Sequence, residues 1–256
     1  IGGTGVTTVA SILAMAAHID GRAASVVDMT GLAQKGGSVF SHVKIGERED
    51  TVVGGRVPAA TTDVLIACDL LVAASPDGLA LFSKKVTRAF GNADFSPTAD
   101  FVTNRDVRFD TARMARRITA ATKSYEACPS QALAEHKLGD GIYANMIMLG
   151  FTWQKGVIPV SSRALYRAIK LNGVDYESNL QAFEVGRKAA MDPEFRGLPE
   201  DSTPTPETMP LADLIEKRTA ELTAYQDGAY AARYRKRVDQ VRAAEAALNA
   251  GAALTR

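Results

Sequence analysis

A glycine-rich segment at the start of the chain constrains its fold most strongly. The first residues are IGGTGVTTVASILAMAAHIDG, in which a Gly-Gly-Thr-Gly run leads into an apolar helix pattern over residues 4–19 that ends at Gly21. Glycines at such a place let the backbone turn sharply as it leaves a buried β-strand. Ile1 is not an initiator methionine, so we expect the natural polypeptide to extend upstream and to supply that strand.

Short apolar strands alternate with helices in the first part of the chain. The Ser75-Pro76-Asp77 run has the cap and first turn of a helix. This alternation predicts an α/β, Rossmann-like fold, in which a parallel or mixed sheet has helices on both faces. Strands are predicted at residues 24–28, 39–45, 64–67, 70–74 and 101–103, with residues 51–54 as a candidate partner strand.

From residue 111 onward the pattern is mostly helical. The segment 192–210, DPEFRGLPEDSTPTPETMP, holds five prolines and is predicted to be a linker. A 3-4 spacing of apolar residues then predicts one long helix from Leu211 to about Leu248. The earlier helices are predicted over 111–122, 142–154, 162–171 and 180–190. We therefore expect an α/β domain over residues 1–191, a linker over 192–210 and a helical extension over 211–256.

Composition excludes several classes of protein. A net charge of +1 provides no bulk attraction to nucleic acid or to an anionic membrane, so neither is an expected partner. The two cysteines, Cys68 and Cys128, lie far apart, which excludes a self-contained zinc or iron–sulfur site and fits a reducing cytoplasm. Each is expected to be a small buried apolar residue. No apolar run reaches the roughly 18 residues of a membrane span.

The glycine-rich start is the first candidate binding site. The backbone amides of Gly2, Gly3 and Gly5, the Thr4 hydroxyl and the positive end of the following helix can together bind an anion. An acidic residue about 20 positions further on would favour a dinucleotide site, and Asp28 lies there. A stand-alone NAD-dependent dehydrogenase is therefore an alternative, although the third glycine of its motif is missing.

The second candidate site is the segment TGLAQKGGS, which follows the strand predicted at 24–28. Backbone amides at Gly36 and Gly37 can form an anion-binding nest, Lys35 supplies a positive charge, and Gln34 and Ser38 supply hydrogen bonds. We expect both glycine-rich segments at the carboxyl edge of adjacent strands, where open α/β sheets bind ligands. The alternative is that these glycines only allow close packing against a neighbouring domain.

The remaining polar candidates are expected to be structural. His42 alternates with apolar residues on a strand, so a hydrogen-bonded structural histidine is predicted. Gly139-Asp140-Gly141, with Asn172 downstream, superficially resembles a thiamine diphosphate and magnesium motif, but the interval has the pattern of two helices. Asp140 is instead expected to cap the helix that begins near residue 142. No catalytic and no metal-binding residue is predicted in this chain.

Several ordered blocks resemble one family. GGTGVTTVASILAMAAHIDG, DMTGLAQKGGSVFSHVKI, LGDGIYANMIMLGFTWQKGVIP and AIKLNGVDYESNLQAFEVGRKAA are similar to the gamma module of 2-oxoacid:ferredoxin oxidoreductases. The resemblance is greatest to the long fused indolepyruvate ferredoxin oxidoreductases, whose helical extension is similar to LTAYQDGAYAARYRKRVDQVRAAE. It covers nearly the whole chain.

The resemblance implies an enzyme in which thiamine diphosphate decarboxylates a 2-oxo acid, iron–sulfur clusters pass electrons to ferredoxin, and coenzyme A takes the acyl group. Thiamine diphosphate, magnesium and the clusters are expected in other domains of the same enzyme, and none of them in this module. This module alone is expected to be inactive, cytoplasmic and part of a homo-oligomer. The family implies that Gly2, Gly3, Gly5, Lys35, Gly36 and Gly37 face the active-site cleft. Their contact with coenzyme A phosphates is our own inference.

Overall fold

The computed structural model describes residues 5–30, 38–94, 110–197 and 209–248. The chain divides into two compact units, Ile1–Leu198 and Pro199–Arg256. The strand predicted at 101–103 and most of the predicted linker lie outside the described residues. In the described part, no helix has the length and apolar character needed to cross a membrane.

The first unit is an alternation of helices and strands. Its helices are α1 (Val6–Ile19), α2 (Leu70–Ala73), α3 (Pro76–Leu79), α4 (Thr111–Ala121), α5 (Ser130–Leu138), α6 (Ala144–Gln154), α7 (Ser162–Asn172) and α8 (Tyr176–Met191). Its strands are β1 (Ala23–Thr30), β2 (Val39–Gly46), β3 (Val64–Ala67), β4 (Arg88–Asn92) and β5 (Ser124–Cys128). Single 3-10 turns lie at Glu49–Thr51, Gly141–Tyr143 and Glu194–Arg196.

The described strands form two sheets. β3, β4 and β5 make a parallel sheet in that order, with Val64 opposite Arg88 and Arg88 opposite Ser124. β1 and β2 form a separate antiparallel pair, with Thr30 opposite Val39. The α/β class and the parallel sheet that the sequence predicts are therefore confirmed.

Both faces of the parallel sheet are buried, because alternate residues of a strand point to opposite faces. Phe90 belongs to the larger core, which contains α1, α6, α7 and α8. Its neighbour Ala89 belongs to a smaller core on the other face, with Ile118 of α4 and Leu70 of α2. The sheet is thus covered by helices on both faces, as an α/β architecture requires.

Helices α6 and α8 pack with their backbones in direct contact. A Cβ atom at Gly186 would lie 2.0 Å from the Ile147 carbonyl oxygen, and one at Gly150 would lie 2.0 Å from the Phe183 carbonyl oxygen. Such distances are far below a van der Waals contact, so only glycine fits at either position. α6 is buried from Ala144 to Thr152, which makes this helix pair the centre of the larger core.

Two predicted strands are wrong. Residues 70–73 form helix α2, which ends at Ala74, because the Asp69 carboxylate accepts a hydrogen bond from Val72 N at 2.9 Å and caps the turn. Residues 51–54 pair with none of the described strands; the Val53 and Gly54 carbonyls instead accept hydrogen bonds from Lys44 Nζ, at 3.1 and 2.8 Å. β4, β5 and α5 were not predicted at all.

The second unit contains helices α9 (Leu211–Tyr225) and α10 (Gly228–Leu248). The prediction of one uninterrupted helix is wrong, since the helix breaks at Gln226, whose ψ is −77°. The Asp227 carboxylate then accepts a hydrogen bond from Tyr230 N at 2.7 Å and starts α10. Arg235 of α10 forms an ion pair with Glu216 of α9, and Leu214 of α9 and Ala231 of α10 are buried.

Candidate functional site

The described part of the predicted site consists of Gly5 and Ser38. Gly5 is the residue before α1 and has a φ of +86°, a left-handed conformation that favours glycine. Ser38 is exposed and directly precedes β2. The other predicted site residues lie outside the described residues: Gly2, Gly3, Thr4, Gln34, Lys35, Gly36 and Gly37.

The start of α1 has the electrostatic character of an anion site. Gly5 has no side chain to cap the helix, and the first turn contains no acidic residue. The first amides of a helix have no carbonyl partner within the helix, and its dipole places partial positive charge there. A phosphate or carboxylate would satisfy both conditions.

Val6 and Val39, which follow the described ends of the two glycine-rich segments, line the same cleft, which we call the central cleft. It has a volume of about 670 Å³ and is lined by α1, β2, β3 and the loop that precedes β3. Val6, which follows Gly5, and Val39, which follows Ser38, both line it. The structure therefore brings the two described ends of the predicted site to one cavity.

His42 is the most buried polar residue that lines the central cleft. The residue is 6% exposed, and its Nδ1 accepts a hydrogen bond from Val57 N at 3.1 Å. Burial lowers the pKa of His42 below its ordinary value, and the positive charges of Arg56 and Lys44 lower it further. A neutral ring with a satisfied acceptor confirms the prediction of a structural histidine.

Asp28 does not have the geometry of a dinucleotide site. It lies within β1, opposite Ser41 of β2, and not at the end of the strand. Its Oδ1 accepts a hydrogen bond from Ser41 Oγ at 2.5 Å. A ribose-binding carboxylate lies at the end of the second parallel strand of a dinucleotide-binding fold, whereas β1 pairs with an antiparallel strand. The position of Asp28 therefore does not favour the dehydrogenase alternative.

Asp140 caps a turn, as the sequence predicts. Its Oδ1 accepts a hydrogen bond from Ile142 N at 2.9 Å, at the start of the 3-10 turn that leads into α6. Asn172 is the last residue of α7. Among the described residues, no group of three or more His, Cys, Asp or Glu side chains is arranged to hold a metal ion.

Neither cysteine has the properties of a cluster ligand. Cys128 is fully buried in the larger core. Burial raises the pKa of its thiol to about 12, and burial likewise raises the pKa of Cys68 to about 12. Both side chains are therefore neutral thiols at physiological pH. Cys128 is buried as predicted, whereas Cys68 is only half-buried.

A polar cluster on α6, α7 and α8 was not predicted from the sequence. Arg187 donates from Nε to Gln154 Oε1 at 2.9 Å and from Nη1 to Tyr166 Oη at 2.8 Å. It also pairs with Glu184 at 2.9 Å and lies 5.1 Å from the centre of the Trp153 ring. The i, i+3 spacing of Glu184 and Arg187 was the available signal. The cluster ties the three helices together.

Comparisons with known proteins agree with this architecture. Residues 1–189 match the model of the family described as pyruvate ferredoxin/flavodoxin oxidoreductase. Residues 211–256 match a family of unknown function, DUF6537. The chain is 28% identical over 198 residues to the indolepyruvate oxidoreductase subunit IorB of Pyrococcus horikoshii, covering 75% of this chain and 93% of that protein.

A further relative and a solved structure extend the comparison. The 2-oxoglutarate synthase subunit KorC of Methanothermobacter marburgensis is 30% identical over 203 residues, covering 75% of this chain and 93% of the relative. The 2-oxoglutarate:ferredoxin oxidoreductase of Magnetococcus marinus, solved with 2-oxoglutarate, coenzyme A and succinyl-CoA bound, superposes with a TM-score of 0.52 at 17% identity. That match covers 74% of this chain and 29% of the larger one and shows a shared fold.

Proposed function

Because the chain belongs to the pyruvate ferredoxin/flavodoxin oxidoreductase family, we propose that it is the gamma-type module of a thiamine-diphosphate-dependent 2-oxoacid:ferredoxin oxidoreductase that acts on indolepyruvate. In the proposed reaction the carboxyl group of the 2-oxo acid leaves as CO₂, and the electrons pass one at a time to ferredoxin. The thiol of coenzyme A takes the acyl group. The family match over residues 1–189 is the observation that carries this proposal.

The cofactors are proposed to reside in other domains of the enzyme. This chain has two cysteines in all, fewer than the four thiolates that hold an iron–sulfur cluster. The Asp140 carboxylate, the one that resembles a magnesium ligand, already caps Ile142. These residues do not fit thiamine diphosphate with its magnesium ion, so no step of the reaction is assigned to them. The isolated chain is accordingly expected to be inactive.

The role proposed for this chain is to bind the phosphates of coenzyme A at the rim of the central cleft. The uncapped start of α1 provides backbone amides, and Lys35 provides a positive charge on the second glycine-rich segment. Val6 and Val39 line one cavity, which supports the placement of both segments at a common rim. The other domains of the same enzyme are the proposed direct partners, and ferredoxin binds the assembled homo-oligomer.

Replacing Lys35 with alanine in the full enzyme tests this role. The loss of one charged hydrogen bond to a phosphate, worth about 1.5 kcal/mol, should raise the KM for coenzyme A about 10-fold. The kcat and the KM for the 2-oxo acid should change less than about 2-fold. Lys84→Ala is the matched control, because Lys84 is exposed and does not line the central cleft.

An unchanged KM for coenzyme A in Lys35→Ala, equal to that of Lys84→Ala, would contradict the anion-binding role. It would favour the alternative that the glycine-rich segments only pack against a neighbouring domain. A loss of enzyme assembly in Lys35→Ala, measured by size-exclusion chromatography, would point to the same alternative.

A further inference from the structure

Helix α7 carries three exposed cations on one face. Arg163, Arg167 and Lys170 are spaced i, i+4 and i+7, which places them in one row along the helix. None of the three forms an ion pair with an acidic side chain in the described part of the chain. The Asp20 carboxylate near Arg163 is already bound by Ser161, whose N and Oγ both donate to it. The row therefore has positive charge that the described residues do not neutralise.

These cations border a groove, which we call the α7 groove. Its other lining residues are Ile19 of α1, Tyr166 of α7 and Leu180 of α8, and its volume is about 580 Å³. Ile19, Tyr166 and Leu180 pack against the larger core, so the groove has apolar walls that the fold holds in place. A surface of this kind suits acidic side chains that flank an apolar one.

The end of α7 exposes large apolar side chains directly beyond the α7 groove. Leu171 follows the last of the three cations and is 58% exposed, and Val174 in the turn after α7 is 70% exposed. Ile142 is 63% exposed, and it neighbours this turn because Tyr143 donates a hydrogen bond from Oη to Asp175. Single exposed apolar residues are common on protein surfaces, whereas a group of them indicates a contact surface.

Beyond the apolar side chains the surface is acidic. Asp140, Asp175 and Glu177 are all exposed there. Asp175 has a φ of +39°, a left-handed conformation that is unfavourable for a residue with a side chain, and it is held by hydrogen bonds from Tyr143 Oη and Ser178 Oγ. These two bonds also lower the pKa of Asp175, so an ionised carboxylate is fixed at this end of the surface.

One continuous surface thus has cations at one end, apolar side chains in the middle and carboxylates at the other end. A partner of a single charge would be repelled by one of these ends. A second copy of the same surface, related by a twofold axis, presents the opposite order, so that each basic end meets an acidic end and the apolar side chains meet each other.

We propose that this surface is a contact between two copies of the chain, with Leu171 of both copies near the twofold axis. The inference rests on the homo-oligomer of the proposed function and names the residues that join its copies. The surface has nine such side chains, whereas a stable interface has about 20 to 30 residues on each side. The contact is therefore one part of the interface between copies in the full enzyme.

Cross-linking at Leu171 in the full enzyme tests this contact. Leu171→Cys, treated with a short bifunctional maleimide and digested, should give a peptide in which position 171 is joined to position 171, identified by mass spectrometry. Such a product can form only between two copies. Val53→Cys is the matched control, because Val53 is 74% exposed and lies outside this surface; it should give no self-linked peptide.

The failure of this inference can be distinguished from the failure of the proposed function. If sedimentation velocity shows an oligomer but position 171 is linked to no second position 171, or only to another domain, the inference is overturned and the proposed homo-oligomer stands. A monomeric enzyme would overturn both.

Charge reversal in the full enzyme tests the order of the charges. Arg167→Glu and Glu177→Arg each create like-charge contacts at two symmetric positions, so each should raise the dissociation constant of the copies about 10-fold in sedimentation velocity. The double variant should return to within about 3-fold of the natural enzyme, because the opposite charges then face each other again.

Arg117→Glu is the matched control, since Arg117 is exposed on α4, which covers the opposite face of the sheet; its effect should stay below about 2-fold. A double variant that dissociates as readily as the single variants would overturn the self-complementary contact. The KM for coenzyme A, which tests the anion-binding role of Lys35, should be unchanged in all these variants.

Discussion

The contact between α6 and α8 leads to the sharpest stability prediction. In Gly186→Ala the new Cβ would lie 2.0 Å from the Ile147 carbonyl oxygen and 2.8 Å from Phe151 N. To reach an ordinary contact distance, the two backbones must separate by about 1.5 Å at the centre of the core. Overpacking of this kind costs about 3 kcal/mol, and the better helix propensity of alanine returns about 1 kcal/mol. We expect a net loss of about 2 kcal/mol.

Gly228→Ala is the matched control, since Gly228 begins α10 and a Cβ there meets nothing within 4 Å. It should be neutral or stabilising by up to about 1 kcal/mol. Urea unfolding is followed by the fluorescence of Trp153, the single tryptophan of the chain, which reports on α6, and by far-UV circular dichroism, which also reports on α10 in the second unit. A loss in Gly186→Ala no larger than in Gly228→Ala would refute the close approach of the two helix backbones.

Two further predictions concern single side chains. Burial lowers the pKa of His42 in the folded state below the ordinary 6.5, so the unfolded chain binds more protons than the folded one as the pH falls. The contribution of His42 to the free energy of unfolding should therefore be fully present above about pH 6.5 and should decrease below it, by at most about 1.4 kcal/mol per pH unit. His42→Gln, which keeps an acceptor for Val57 N, should reduce this pH dependence of the free energy of unfolding, measured by urea titrations at pH 5 to 7. An unchanged pH dependence would show that other groups cause it. Asp69→Ala should cost about 1 kcal/mol by uncapping α2, whereas Asp69→Asn should cost less than half as much; equal losses in thermal unfolding would argue against the cap.

Local patterns in the sequence were enough to predict the long helices and the strongly apolar strands. α1, α4, α7 and α8 carry their own periodicity and end signals, and β3 coincides with the predicted Val64–Ala67 run. The cap at Asp140 was also predictable, because it depends on chemistry between near neighbours. The strand alternation around His42 predicted a structural role, but its hydrogen-bond partner Val57 lies 15 residues away and was not predicted. The four quoted blocks were enough to identify the family, which the match over residues 1–189 confirms.

Only the tertiary structure decided the elements that depend on distant partners. β4 and β5 contain Arg88, Asn92, Ser124 and Glu126, and are strands because parallel neighbours satisfy their peptide groups. Leu70–Ala73 became helical because one carboxylate capped it, although its apolar run fits a strand equally well. Nothing in the sequence distinguishes Gly150 and Gly186 from other glycines, because the need for glycine at these positions comes only from the contact between α6 and α8. Likewise, the central cleft forms only where α1, β2 and β3 come together in the folded chain, and no local pattern predicts that arrangement.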